Sequence, residues 1–184
     1  MAKLIYIVNT SLDGYMADED GRIDWTSPSE EVFRFITDLV RPVGTYLYGR
    51  RLYEAMAVWE TLDAPPDFPQ ELDFAQLWRG ADKVVYSTTL AAAATPRTRI
   101  ERTFDPAAVR LMKEATGPDL TVGGAQLAGQ AIAAGLVDEI HLVVTPHLLG
   151  GGAPALPAHV RRGLQLLDQH TFANGTVYVR YGML

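Results

Sequence analysis

Between residues 45 and 145, runs rich in Val, Ile, Tyr and Thr alternate with stretches of helical spacing, which leaves few folds open to the chain. The strand-like runs are 4-LIYIVN-9, 45-TYLY-48, 83-KVVYS-87, 119-DLTVG-123 and 139-EIHLVVT-145. Parallel strands need a long crossover between them, usually a helix, and the intervening segments supply it. In 29-SEEVFRFITDLV-40, Val32, Phe33, Ile36, Leu39 and Val40 share one face, with Ser29 or Ser27 available as the cap. Pro106 stands near the start of 106-PAAVRLMKEA-115 and Gly117-Pro118 ends it, while 125-AQLAGQAIAAGL-136 is stopped around Gly135. The tail breaks the alternation: 164-LQLLDQHTF-172 and 176-TVYVRY-181 flank Asn174-Gly175, a strong hairpin signal. The segment 59-WETLDAPPDFPQ-70 reads as an ordered, proline-rich surface loop. Together these features predict a single α/β domain over residues 1–184. Its central sheet is expected to be mixed but mostly parallel, with about eight or nine strands, flanking helices and a C-terminal antiparallel hairpin.

Composition narrows the function classes. With 184 residues and 48% hydrophobic content, the chain can bury a substantial core in one domain. No apolar run approaches the roughly 20 residues of a membrane span. Met1-Ala2-Lys3 leads directly into 4-LIYIV-8, which reads as an edge-to-core strand, too short for a signal peptide. Zero cysteines exclude disulfides and thiolate metal sites and fit a cytoplasmic protein. A net charge of −6 argues against nucleic acid as a partner, so any anionic ligand must be held by a local arginine cluster within an acidic body. The histidines at 141, 147, 159 and 170 lack metal-ligand spacing, and Ser87 has no nucleophile-elbow context.

Such a cluster occurs at 49-GRRLYE-54, where a strand-like run becomes helix-compatible at Gly49 and two arginines fall on the junction. Glycine permits close approach of backbone to ligand, a helix start presents free N–H groups, and Arg50 and Arg51 add planar donors suited to phosphate. A second corner, Gly123-Gly124-Ala125-Gln126, follows the strand 119–123. It lacks the G-x-G-x-x-G pattern of a Rossmann unit, and close helix–sheet packing explains such a pair equally well. Ser87, Thr88 and Thr89 end another strand, either capping the next turn or completing a ribose-phosphate pocket.

In order along the chain, 11-SLDGYMA-17, 25-WTSP-28, 49-GRRLYE-54, 83-KVVYSTTL-90 and 122-VGGAQLAGQAIAAGLVDEIHLVVTPHLLGGG-152 resemble the dihydrofolate reductase-like superfamily. Within it, the similarity is to small proteins related to the riboflavin-biosynthesis reductase domain, the RibD C-terminal domain. The resemblance implies a dihydrofolate reductase-like three-layer sandwich and an NADPH-dependent reductase, commonly a homodimer, acting on a pyrimidine- or pteridine-like small molecule. It implies cofactor contacts at Gly49, Arg50 and Arg51, at Ser87 and Thr88, and at Gly123, Gly124, Ala125 and Gln126. Residues Ser11 to Ala17, with Asp13 and Gly14, match the loop covering the nicotinamide.

On the substrate side the sequence points two ways. Trp25-Thr26-Ser27-Pro28-Ser29-Glu30 matches the spacing of dihydrofolate reductases, in which the acid grips the pterin and helps deliver a proton. That makes Glu30 a catalytic candidate, with Trp25 lining the pocket and Asp13 a further one. Glu30 and Glu31 also suit the first turn of a helix, where carboxylates complement the macrodipole. Thr26-Ser27-Pro28 suits the riboflavin-pathway reductases instead, but Ile7 stands where their strand lysine is expected and Glu30-Glu31-Val32 where their arginine is expected. The resemblance thus favours reduction of the 5-amino-6-(5-phosphoribosylamino)uracil type. The alternatives are dihydrofolate reductase activity and an NADPH-binding relative without turnover.

Overall fold

The hydrophobic runs form strands buried on both sides, which is why they read as nearly continuous rather than alternating. A computed structural model describes residues 1–62, 69–115 and 117–184. In chain order the elements are β1 (Leu4–Ser11), β2 (Tyr15–Ala17), a single 3-10 turn (Asp24–Thr26), α1 (Glu30–Val40), β3 (Val43–Gly49) and α2 (Arg50–Met56). There follow α3 (Val58–Thr61), α4 (Pro69–Gly80), β4 (Asp82–Tyr86), β5 (Thr98–Glu101), α5 (Pro106–Glu114) and β6 (Asp119–Gly123). The chain closes with α6 (Ala125–Ala133), β7 (Glu139–Thr145), β8 (Ala153–Pro154), β9 (Leu164–Thr171) and β10 (Val177–Met183).

Eight strands make one sheet in the order β5-β4-β3-β6-β1-β7-β10-β9. The strands from β5 to β7 in that order are parallel, and β10 and β9 then pair antiparallel. The expected mixed, mostly parallel sheet with a terminal hairpin is therefore present. β1 is not an edge element, since it pairs with β6 on one side and β7 on the other.

Helices cover both faces. On one, Leu4, Tyr6 and Val8 of β1 pack with Leu47, Val84 and Val122 against Val109 of α5 and Leu127, Ala131 and Ile132 of α6. On the other, Tyr46, Tyr48 and Val85 meet Tyr53, Phe74 and Trp78, and Val143 and Tyr178 meet Val32 and Phe35 of α1. Lys83 is buried on that second face, its ammonium 4.1 Å from the centre of the Trp78 ring and donating to Ala81 O at 3.1 Å. Caps fall as expected: Ser29 Oγ accepts from Val32 N at 3.4 Å to open α1, and Asp105 accepts from Ala107 N at 2.9 Å ahead of Pro106.

The proline-rich loop reading needs correction at both ends. Trp59, Glu60 and Thr61 lie in α3, and Pro69 begins α4, because Phe74, Ala75 and Trp78 give that segment a buried side. The middle of that stretch lies outside the described residues. Gly152 belongs to the Leu-Leu-Gly-Gly-Gly run for a steric reason: a Cβ there would run into the Ala17 carbonyl, where β2 and β8 form a small separate sheet.

Where the parallel sheet meets the antiparallel tail, one carboxylate joins three strands. Glu139 on β7 accepts from Lys3 Nζ at 2.7 Å and from Arg180 of β10 at 2.9 and 3.0 Å, and lies 3.1 Å from His141 Nε2. The other His141 nitrogen is 3.1 Å from the Tyr178 hydroxyl. Burial alone would raise the Glu139 carboxyl, but hydrogen bonds from Arg180, Lys3 and His141 hold it down to about 2. Burial pushes His141 below the ordinary imidazole range against the pull of Glu139.

Removing that charge tests the junction. Glu139→Gln is expected to cost about 1.5–3 kcal/mol, the scale of hydrogen bonds to a charged group, measured as a lower melting temperature at neutral pH. Because the folded carboxyl titrates below its ordinary value of 4.5, its contribution is full above that pH and is lost as pH falls toward about 2. The melting gap between parent and variant should therefore narrow across that acid range. A constant gap would contradict the pairing.

Candidate functional site

Parallel strands place their C-terminal ends on one edge of the sheet, and open α/β sheets bind ligands there. Gly49, Ser87, Arg102, Gly123, Ser11 and Pro146 each lie at or just beyond the C-terminal end of one of the six parallel strands. Residues scattered from 11 to 146 in sequence are thereby gathered along one edge.

The two glycine corners meet. Tyr48 and Gly123 are partners in the β3–β6 register, so α2 and α6 start side by side. A Cβ on Gly124 would sit 3.8 Å from Gly49 N, and Gly124 has φ +94, a conformation that side chains rarely adopt. Gly123 has a different reason to be glycine: a Cβ there would lie 2.5 Å from Leu52 Cδ2, so packing accounts for it. Gly49 is the informative one. Its φ of −72 suits any residue, and an added Cβ would meet nothing within 4 Å. Neither backbone strain nor internal packing calls for glycine at that corner.

Cations flank the corner. Arg50 pairs with Glu54 at 2.8 Å and donates to Thr89 Oγ1 at 2.9 Å. Such an exposed pair is weak and leaves the guanidinium free to rearrange toward an anion. Arg51 is exposed. Ser87 is buried, its hydroxyl accepting from Thr89 N at 3.3 Å and Leu90 N at 3.0 Å, so it shapes its own turn, while Thr88 is exposed beside it. Arg102 was not singled out from the sequence. Its guanidinium donates to Ser87 O at 2.9 Å and Leu90 O at 2.8 Å, fixing the loop that carries Thr88 and Thr89. Ala125 and Gln126 open α6, with Gln126 exposed.

Beyond β1 from that corner lies a cleft of about 70 Å³. Asn9, Trp25, Ser27, Val143, Thr145 and His147 are among its walls. Trp25 is half-buried on the 3-10 turn, its indole N–H donating to Arg22 O at 3.1 Å and its ring set edgewise 6.1 Å from His147. Neither Asn9 nor His147 was proposed for this role from the sequence. Only the topology reveals them, since β1 and β7 are far apart in the chain and adjacent in the sheet.

The other two candidates for catalysis sit elsewhere. Glu30 is the first residue of α1, exposed and bound to Arg34 at 2.7 Å, and it lines an outer groove rather than the Trp25 cleft. Asp13 is a fastener. Its carboxylate accepts from Ser11 Oγ at 2.6 Å, from Gly150 N at 2.7 Å and from Leu149 N at 3.1 Å. The Ser11 hydroxyl, then the Gly150 and Leu149 amides, hold the Asp13 carboxyl below the ordinary range. Leu12 N→His147 O at 2.8 Å and Ala155 N→Gly14 O at 2.9 Å complete the lashing of residues 11–14 to the loop that carries His147.

Known proteins resemble this chain in sequence and in fold. The uncharacterized Bacillus subtilis (strain 168) protein YyaP is 28% identical over 181 residues, covering 97% of this chain and 94% of its own. A crystal structure of a putative riboflavin biosynthesis protein from Shewanella sp. PV-4 superposes with a TM-score of 0.76 at 19% identity, covering 100% of this chain and 99% of that one. The Thermotoga maritima diaminohydroxyphosphoribosylaminopyrimidine deaminase/5-amino-6-(5-phosphoribosylamino)uracil reductase superposes with a TM-score of 0.69 at 13% identity, over 100% of this chain and 57% of its own. Among the described residues no helix is long and apolar enough to cross a membrane. The family model of the RibD C-terminal domain matches residues 2–178, and the chain belongs to that family.

Proposed function

We propose that the chain is a cytoplasmic, NADPH-dependent reductase. Its reaction is hydride transfer to a C=N or open-chain sugar carbonyl or imine carbon on an aminopyrimidine- or pteridine-like molecule. This is the type that the name of the Thermotoga neighbour describes as 5-amino-6-(5-phosphoribosylamino)uracil reduction. One observation carries the reading: Gly49 and Gly124 leave a bare backbone corner at two helix starts, with Arg50 and Arg51 beside it. That donor set fits a diphosphate and a phosphomonoester. The nicotinamide supplies the hydride when the cofactor is bound.

The chain's own residues bind, orient and exclude water. Gly49, Gly124, Ala125 and Gln126 receive the diphosphate, and Arg50, Arg51 and Thr88 receive the ribose phosphate on a loop held by Arg102. Trp25 walls the substrate cleft, and Asp13 keeps the loop bearing His147 against it. His147 stands at that wall beside Trp25 and serves the proton route. Glu30 is not given the acid's part, because it lines the outer groove and is not among the walls of the cleft. The dihydrofolate reductase reading loses its anchoring acid accordingly. We further assign the homodimer contact to the edge strand β9, where Leu164, Leu166 and Leu167 are 41%, 50% and 45% exposed.

Three measurements test this reading. Gly49→Ala should melt within a few degrees of the parent, yet bind NADPH about tenfold or more weakly, since the methyl group enters the corner. A folded variant with parental affinity would empty the corner of its role. The pair Arg50→Ala with Arg51→Ala should weaken NADPH by roughly tenfold to a hundredfold, the range for losing charge-assisted contacts, while NADH changes little. Equal losses for both cofactors would sink the assignment of the arginines. Leu166→Asp should shift the chain to monomer in sedimentation equilibrium; an unchanged mass would move the contact off β9.

A further inference from the structure

The Trp25 cleft does not end at its own walls. Asn174, in the β9–β10 turn, lines both the cleft and a larger open groove of about 630 Å³ between α1 and the hairpin. The groove thus adjoins the cleft at Asn174, and a long substituent on a ring seated in the cleft can pass that residue and lie over α1. The groove's floor is aromatic, with Phe35 stacked on His170 at 5.7 Å and Phe172 edge-on at 5.2 Å.

Charge decides what that substituent can be. The cleft walls contribute polar groups, among them the Asn9 amide and the Ser27 hydroxyl, and neither a lysine nor an arginine. The groove is lined by three carboxylates, Glu30, Glu31 and Asp38, and one arginine, Arg34; Glu30 pairs with Arg34 at 2.7 Å and Asp38 with Arg41 at 2.8 Å. Arg22, whose carbonyl accepts from the Trp25 indole, lines neither space and is paired with Asp20 at 3.3 Å. Carboxylates outnumber the arginine along the lining, so a phosphate ester in the groove would meet net negative charge. Burying or crowding an unpaired dianion is costly, and like-charge contact across an interface disfavours the wrong partner.

We propose that this site takes an unphosphorylated substrate: a planar, hydrogen-bonding ring in the cleft, carrying a hydroxylated substituent that lies uncharged along the aromatic floor of the groove. The proposal rests on the reductase reading for the reaction, but its structural basis is separate from the cofactor corner. Glu31 and Asp38 are specificity determinants that reject phosphate, and Asn9 and His147 hold the ring.

The test is a matched ligand pair, an aminouracil bearing a ribityl chain and its 5′-phosphate ester, titrated by ligand-observed NMR against the full chain with and without NADPH. The unphosphorylated member should bind at least about tenfold tighter at low salt, and the gap should narrow as salt rises. Charge reversal by Glu31→Lys with Asp38→Lys should reverse the order, leaving NADPH affinity as in the parent. Asn9→Leu should weaken both members alike. Equal or tighter binding of the phosphate ester overturns the proposal, as does failure of the unphosphorylated member to bind, or charge reversal without effect. Cofactor binding is followed independently through nicotinamide fluorescence: loss of that signal with the ligand preference intact would defeat the reductase reading alone.

Discussion

Six strands running the same way impose the condition on which the rest of the molecule depends. Each parallel pair requires a connection that returns across a face, so both faces are covered and the strands are apolar on both sides. The same requirement puts the C-terminal end of every one of these strands on one edge. No single segment carries a binding site. Gly49, Gly124, Trp25 and His147 come together only because β3, β6, β1 and β7 are neighbours in an order that the chain does not follow. The Glu139 cluster closes the arrangement at the opposite end, tying β1 and β7 to the antiparallel tail through Lys3 and Arg180.

The long elements were legible because local chemistry and tertiary demand agree. α1 shows its Ser29 cap and its apolar face, and Asn174-Gly175 sits in the turn between β9 and β10. Failures occurred where tertiary context supplied the cause. β5 reads Thr-Arg-Ile-Glu and gains its strand conformation from pairing with β4 at the sheet edge. α4 has a weak amphipathic pattern, and its proline-rich approach resembles a loop, yet Phe74 and Trp78 anchor it. β2 and β8 are too short for any periodicity to show.

The candidate site was legible in kind more than in detail. Both glycine corners were visible as strand-to-helix junctions, but a sequence cannot separate a glycine that avoids a neighbour from one that leaves room for a ligand. Leu52 accounts for Gly123, whereas no atom of the described chain accounts for Gly49. Trp25-x-x-Pro28-x-Glu30 is a matter of spacing, and in the fold Glu30 opens α1, exposed and paired with Arg34, while Trp25 lines the cleft. Asp13 drew notice as an acid near a pocket. Its three-way hydrogen bonding makes it a structural tie, and Arg102 does the same for the Ser87 loop at the other end of the edge. In both cases a charged side chain near the site acts by fixing a loop.

That leaves an edge with two electrostatic characters. Arg50, Arg51 and Arg102 gather around the ends of β3, β4 and β5, whereas Glu30, Glu31 and Asp38 line the groove on α1. The body as a whole carries −6, so the arginine end is a local exception in an acidic field. A ligand with several phosphates is drawn to the first end and repelled from the second, and salt weakens both effects over roughly a Debye length of 10 Å at 0.1 M. An uncharged ring with a polar chain, the substrate proposed above, has no such preference and would be sorted by shape and hydrogen bonding in the Trp25 cleft. On the proposed reading, in which an anionic cofactor lies next to a neutral substrate, this division would keep the first from blocking the seat of the second. It requires no moving part, only that a helix start rich in carboxylates and a strand end rich in arginines share one edge of a parallel sheet.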